Sequence, residues 1–219
     1  PDFRKHYISA YKKYSGVGYG PTFVDWAVCE KEEGYNSAAN GAVMRLSFIP
    51  AYYTNINDVI KYTIQSAMVT HNHIEAIKGS VAWAVCIWMA LHGYNKEELK
   101  RYIDRHYLYQ EKDLPYILDI YSPFPFEKKL KELKHDWPDF SRNTLFTNIA
   151  VPYAFKCFYE TNSYEECMRE ILSRTGDADT ICAIAGGLCV AYYGETGFNN
   201  EEIIDKTRNL EALITNYTM

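Results

Sequence analysis

The stretch from Ile181 to Tyr193 limits the fold more than any other part of this 219-residue chain. It holds Ile181, Ala183, Ile184, Ala185, Leu188, Val190 and Ala191 with no charged residue among them. Apolar residues at every angle around a 3.6-residue period predict a helix buried on all sides, which the rest of the chain must enclose. The enclosing elements also read as helices. Asn95 with Glu98, Ser163 with Glu166 and Asn199 with Glu202 each pair a capping residue with a Glu three positions on, and strict strand alternation is scarce. The pattern predicts helices over 2–14, 21–32, 40–53, 57–70, 73–92, 96–107, 126–135, 147–160, 164–174, 179–193 and 201–215, an all-α chain. Gly16, Gly18 and Gly20 before Pro21, and Tyr121 to Phe126 with two prolines, read as loops too short for a linker. With 47% hydrophobic residues the chain can bury one sizeable core, so a single compact multi-helix domain over 1–219 is expected.

A formal net charge of -5, without a basic stripe, argues against generic nucleic-acid binding. A compact anion can still bind where helix ends and a few donors supply local positive potential. Six cysteines (Cys29, Cys86, Cys157, Cys167, Cys182, Cys189) show no C-x-x-C spacing and mostly sit among apolar residues; they read as buried hydrophobes in a reducing, cytoplasmic setting. The uncharged run from Val81 to Leu91 is too short to span a bilayer, so no membrane association is expected. Pro1 opens on what reads as the middle of a helix, with Phe3, Tyr7, Ile8 and Tyr11 on one face, which predicts further chain upstream.

Gly176-Asp177-Ala178-Asp179-Thr180 places two carboxylates and a hydroxyl at the mouth of the apolar helix. Acids at the start of a buried helix are expected to face a protected cleft, either capping the helix or holding a hard cation such as Mg2+. Two further segments stand out: Asn36 to Arg45, with Ser37, Asn40 and Gly41, and Thr70 to Gly79, with His71, His73 and Glu75. Taken alone, Asp179 reads as a helix N-cap, Asn40-Gly41 as a turn, and His71-x-His73 as a helix break too weak to indicate zinc. For Arg45 two readings stay open: packing inside the fold, or contact with a ligand. His6, His92, His106 and His135 read as surface or helix-end residues, and Trp83 and Trp88 as core. No Ser/His/Asp or Cys/His spacing supports a covalent nucleophile.

In this order and spacing, N-G-x-x-M-R, T-H-x-H and G-D-x-D-T running into Gly186-Gly187 resemble the ADP-ribosylglycohydrolase family, including its dinitrogenase-reductase-activating members. The likeness covers roughly residues 1 to 197. It implies an all-helical hydrolase in which paired Mg2+ ions, sometimes Mn2+, bind the ribose cleaved from a protein side chain or small acceptor. Asp177, Asp179 and Thr180 match metal ligands, the two aspartates thereby carrying catalysis. Asn40, Gly41, Arg45 and Ser37 match the segment beside the ADP-ribose pyrophosphate, where a glycine at a helix start lets backbone N–H groups approach phosphate. His71 matches a residue near the ribose, and His73 and Glu75 are expected to support the helix. Ala38 and Ala39 stand where the family has an aromatic residue and a glycine. The family's G-D-x-x-G and T-D-D-T motifs have no counterpart in these residues, so metal binding through Asp177 and Asp179 is expected to be weak and largely hydrated. The alternatives are an inactive ADP-ribose-binding pseudoenzyme or a structural protein on the same scaffold.

Overall fold

The computed structural model describes residues 2–108, 145–173 and 177–197, together with 201 and 205. Among these the helices are α1 (Phe3–Lys13), α2 (Pro21–Val28), α3 (Phe48–Tyr52), α4 (Ile56–Met68), α5 (Ile74–Leu91), α6 (Lys96–Leu108), α7 (Thr147–Glu160), α8 (Tyr164–Leu172) and α9 (Ala178–Tyr193). No strand occurs among the described residues beyond one isolated bridge, Ala39 to Phe146. The expected helix over 126–135, the one over 201–215 apart from residues 201 and 205, the loop from Tyr121 to Phe126, the Asn199–Glu202 cap, His135, Gly176 and the side chain of His106 lie outside the described residues.

Helix α5 is the axis of the bundle because it is apolar on two faces. Ile74, Ile77, Val81 and Val85 recur at helical spacing and pack with Ile60, Ile64 and Ala67 of α4. Ala82, Trp83 and Cys86 pack instead into the cluster that holds α7 and α9. Trp83 is fully buried, and its indole N–H donates to the Ile184 carbonyl at 3.1 Å, so the ring joins α5 to α9 without an unmet donor. By length and a mean hydropathy of 1.5, α5 would suit a membrane, yet 83% of it is buried in the bundle. Its apolarity is accounted for by the core.

Capping follows the sequence signals. Asn95 and Glu98 form a reciprocal box, with Glu98 N–H on Asn95 Oδ1 at 3.0 Å and Asn95 N–H on Glu98 Oε2 at 2.9 Å. Ser163 Oγ accepts from Glu166 N–H at 3.1 Å, while Glu166 reaches back to Asn162 N–H. Lys96 closes the far end of α7: its ammonium donates to the carbonyls of Phe158, at 3.0 Å, and Thr161 and lies over the Phe158 ring. A cation there meets the negative end of the helix.

Three expectations need correction. The helix expected over 40–53 is a single 3-10 turn at Asn40–Ala42 followed by the short α3. Pro50 has no N–H for the Leu46 carbonyl and its ring would strike it, so Pro50 is accommodated only in the first turn of a helix begun at Phe48. Helix α2 stops at Val28 rather than residue 32, because Glu30 takes a left-handed φ of 47°. Helix α9 is not enclosed all round. Ile181, Ile184, Ala185, Leu188 and Cys189 are buried, but Ala183 is exposed and Val190 is 42% exposed. At Gly187 a Cβ would stand 2.2 Å from Ser47 Oγ, so the glycine draws α9 onto the chain before α3. Beside this contact runs an apolar groove of about 520 Å3 lined by Phe48, Leu91, Tyr164, Cys182 and Val190.

Candidate functional site

The loop carrying Ser37, Asn40 and Gly41 is pinned on both sides. On one, Tyr35 N–H donates to the Thr70 carbonyl at 3.0 Å and Asn36 N–H to Asn72 Oδ1 at 2.6 Å. Gly34 fits there only as glycine, since a Cβ would lie 2.6 Å from the Met68 carbonyl oxygen. On the other, Asn40 N–H donates to the Leu145 carbonyl at 2.9 Å, Thr147 N–H to the Ala38 carbonyl at 3.0 Å, and Thr147 Oγ1–H to the Ala39 carbonyl at 2.8 Å. Ser37 faces its own loop, its Oγ accepting from Ala39 N–H at 3.1 Å.

This anchoring delivers Asn40, only 6% exposed, to the start of α9, where its Nδ2 donates to Asp177 Oδ2 at 2.9 Å. Asp177 holds the N-cap position of α9 but makes no side-chain bond to the helix amides. The cap is therefore Asp177 rather than Asp179. Asp179 lies within the first turn and is exposed, whereas Thr180 is buried. Asp177 is half-buried, whereas Asp179 is exposed, contrary to the expectation that both acids face a protected cleft. Asp179 stands at helical spacing from Cys182 and Ala183, and so heads the open face of α9 that the small residues leave uncovered.

Two carboxylates and a hydroxyl are hard oxygen donors of the kind Mg2+ prefers. Among the described residues no group of three or more His, Cys, Asp or Glu side chains converges. A cation held by Asp177, Asp179 and Thr180 would need most of its roughly six oxygens from water.

His71 is brought to the same loop. At Gly41 a Cβ would come 3.0 Å from His71 Nε2, so the absent side chain is what lets the loop approach the imidazole. The ring is 6% exposed and lies 5.5 Å from that of Tyr35. Burial, reinforced by the positive charge of Arg45, drives its pKa from 6.5 to about 3, leaving it neutral near pH 7. His73 turns to other work: its Nδ1 accepts from Glu75 N–H at 3.2 Å as the cap of α5, with Glu75 in the first turn. His73 and Glu75 therefore support the start of the helix, as expected.

Of the two readings left open for Arg45, the structure displays packing inside the fold. Its Nη2 donates to the Ser66 carbonyl at 3.0 Å and to Thr70 Oγ1 at 2.7 Å, and the guanidinium lies 4.2 Å over the Tyr7 ring. Three residues the sequence reading did not single out hold the site in place: Thr70, Asn72 and Thr147. Thr70 and Asn72 stand inside the T-H-x-H segment, but only the fold pairs them with residues 35, 36 and 45.

A family model described as ADP-ribosylglycohydrolase matches residues 2–217. ADP-ribosylhydrolase ARH3 of Gallus gallus is 27% identical over 237 residues, covering 89% of this chain and 64% of that relative. The Homo sapiens protein of the same name is 28% identical, covering 74% of this chain and 52% of its own length. The chain thus spans about half to two thirds of the curated relatives it matches. A solved structure, an ADP-ribosylglycohydrolase-related protein complex, aligns with a TM-score of 0.65 at 21% identity over 99% of this chain and 73% of its own, a likeness of fold.

Proposed function

Because the chain belongs to the ADP-ribosylglycohydrolase family, we propose that it contributes to a Mg2+-dependent hydrolase that cleaves the glycosidic bond between ADP-ribose and a protein side chain or small acceptor. The observation that carries this is the Asn40–Asp177 hydrogen bond, which joins two motifs 137 residues apart while Gly41 meets His71 beside it. Three separate sequence signals therefore build one place.

Asp177, Asp179 and Thr180 would hold the cation, which when bound supplies positive charge to orient ribose hydroxyls and a water. The remaining work belongs to the chain's own groups. Asn40 fixes the plane of the Asp177 carboxylate. Cleavage at the ribose C1 carbon develops cationic character there, and fixed carboxylates favour it. His71, neutral and buried, offers an N–H without adding a second positive charge. Ser37, Asn40 and Gly41 supply the loop against which the pyrophosphate would lie. The proposed partners are ADP-ribose and ADP-ribosylated protein, and cysteine usage supports a cytoplasmic setting. Release of ADP-ribose from a modified protein in Mg2+ tests this reading; Asp179→Ala abolishes it, and unchanged release in that variant defeats the proposal.

One observation favours a second reading, a binding module without turnover: the exposed Asp179 and the short donor set. Calorimetry separates the two, since saturable ADP-ribose binding with no hydrolysis selects the module.

A further inference from the structure

Arg45, Thr70 and His71 form a directed chain. Arg45 Nη2 lies 2.7 Å from Thr70 Oγ1, and Thr70 Oγ1 lies 2.7 Å from His71 Nδ1. A guanidinium donates and never accepts, so Thr70 Oγ1 must be the acceptor in the first bond. The hydroxyl has one hydrogen. Arg45 takes one lone pair of the hydroxyl and Tyr35 also hydrogen-bonds to Thr70, so the geometry permits, without forcing, donation of that hydrogen to Nδ1. In that arrangement Nδ1 is the unprotonated nitrogen and the ring proton sits on Nε2, the atom that faces Gly41.

The source of the chain is itself held rigidly. Arg45 Nη2 also donates to the Ser66 carbonyl, the guanidinium lies over Tyr7, and the Tyr7 hydroxyl is 2.6 Å from Ser66 Oγ. Arg45 therefore cannot swing toward the loop without breaking two hydrogen bonds and a ring contact.

We infer that Arg45 is a positioning residue that acts through Thr70 to fix His71 as an Nε2–H donor aimed at the Gly41 loop. The donor's target is an oxygen of the bound sugar nucleotide, a ribose hydroxyl or a phosphate. That last step rests on the function proposed above; the proton placement does not.

Long-range nitrogen–proton correlation spectra of the 15N-labelled chain test the placement directly. His71 is expected to show a pyrrole-type Nε2 and a pyridine-type Nδ1, and Arg45→Met to give averaged signals from both tautomers. Nδ1 carrying the proton in the unaltered chain, or an Arg45→Met spectrum identical to it, overturns the relay. Should Arg45→Met fail to fold, Thr70→Val and Thr70→Ser serve. Thr70→Val is expected to weaken ADP-ribose binding about tenfold, the scale of one lost hydrogen bond, and Thr70→Ser to restore it. Equal affinity in Thr70→Val, or no rescue by Thr70→Ser, overturns the positioning role. If the unaltered chain binds no ADP-ribose, the function fails and the relay is judged on the nitrogen spectra alone.

Discussion

Burial of His71 ties folding stability to pH in a way that can be worked out in advance. Its pKa is about 3 in the folded chain against an ordinary 6.5, with desolvation the larger cause and Arg45 the smaller. A depressed pKa means that below pH 6.5 the unfolded chain binds a proton that the folded chain refuses. Stability is then fully present above that value and is lost progressively as pH falls from 6.5 toward 3. At pH 5 the unfolded imidazole is almost wholly protonated, and 1.5 pH units below its pKa corresponds to about 2 kcal/mol. In a chain of this size that is a fall in Tm of roughly 4–8 °C. Urea unfolding of the unaltered chain and of His71→Asn, each at pH 7.5 and pH 5, isolates the effect, because every other titrating group contributes to both. The asparagine accepts from Thr70 but has no proton to gain. The unaltered chain is expected to lose about 2 kcal/mol more than the variant over this interval. Equal losses in the two proteins would refute the reasoning.

Gly187→Ala forces a Cβ to within 2.2 Å of Ser47 Oγ and is expected to cost about 1–3 kcal/mol by overpacking. Ser47→Gly in the same chain should return most of it, as measured by urea midpoints. Gly41→Ala places a Cβ 3.0 Å from His71 Nε2, so calorimetry should show weakened ADP-ribose binding with the fold retained by circular dichroism. Lys96→Met removes a charged donor from the carbonyls of Phe158 and Thr161 and should destabilise the chain by about 1.5–3 kcal/mol; thermal unfolding reads this directly.

Much of this architecture was legible in the sequence because helices announce themselves locally. The Asn95–Glu98 and Ser163–Glu166 signals became real caps, and the apolar period of residues 74–85 became the bundle's central face. What misled was tertiary or backbone detail. Pro50 and the left-handed Glu30 cut predicted helices short, and uniform apolarity in α9 concealed an open face because Ala183 and Val190 look the same whether buried or exposed. In the site, motif residues were visible but their division of labour was not. His71 and His73 differ by two positions, yet one is buried beside Gly41 and the other caps α5. Thr147 carries no motif signal, and Thr70 and Asn72 sit in the T-H-x-H segment with no sign of their partners, because the partners of all three lie 25 to more than 100 residues away.

The central claim is that Asp177, oriented by Asn40, and Asp179 grip a divalent cation beside a bound sugar nucleotide. Electron paramagnetic resonance of Mn2+, titrated into the chain with and without ADP-ribose, measures it. Mn2+ binding is expected to tighten when ADP-ribose is added, to weaken in Asn40→Ala and to vanish in the Asp177→Asn, Asp179→Asn double variant. Mn2+ binding that is the same in the double variant and the unaltered chain would contradict the account.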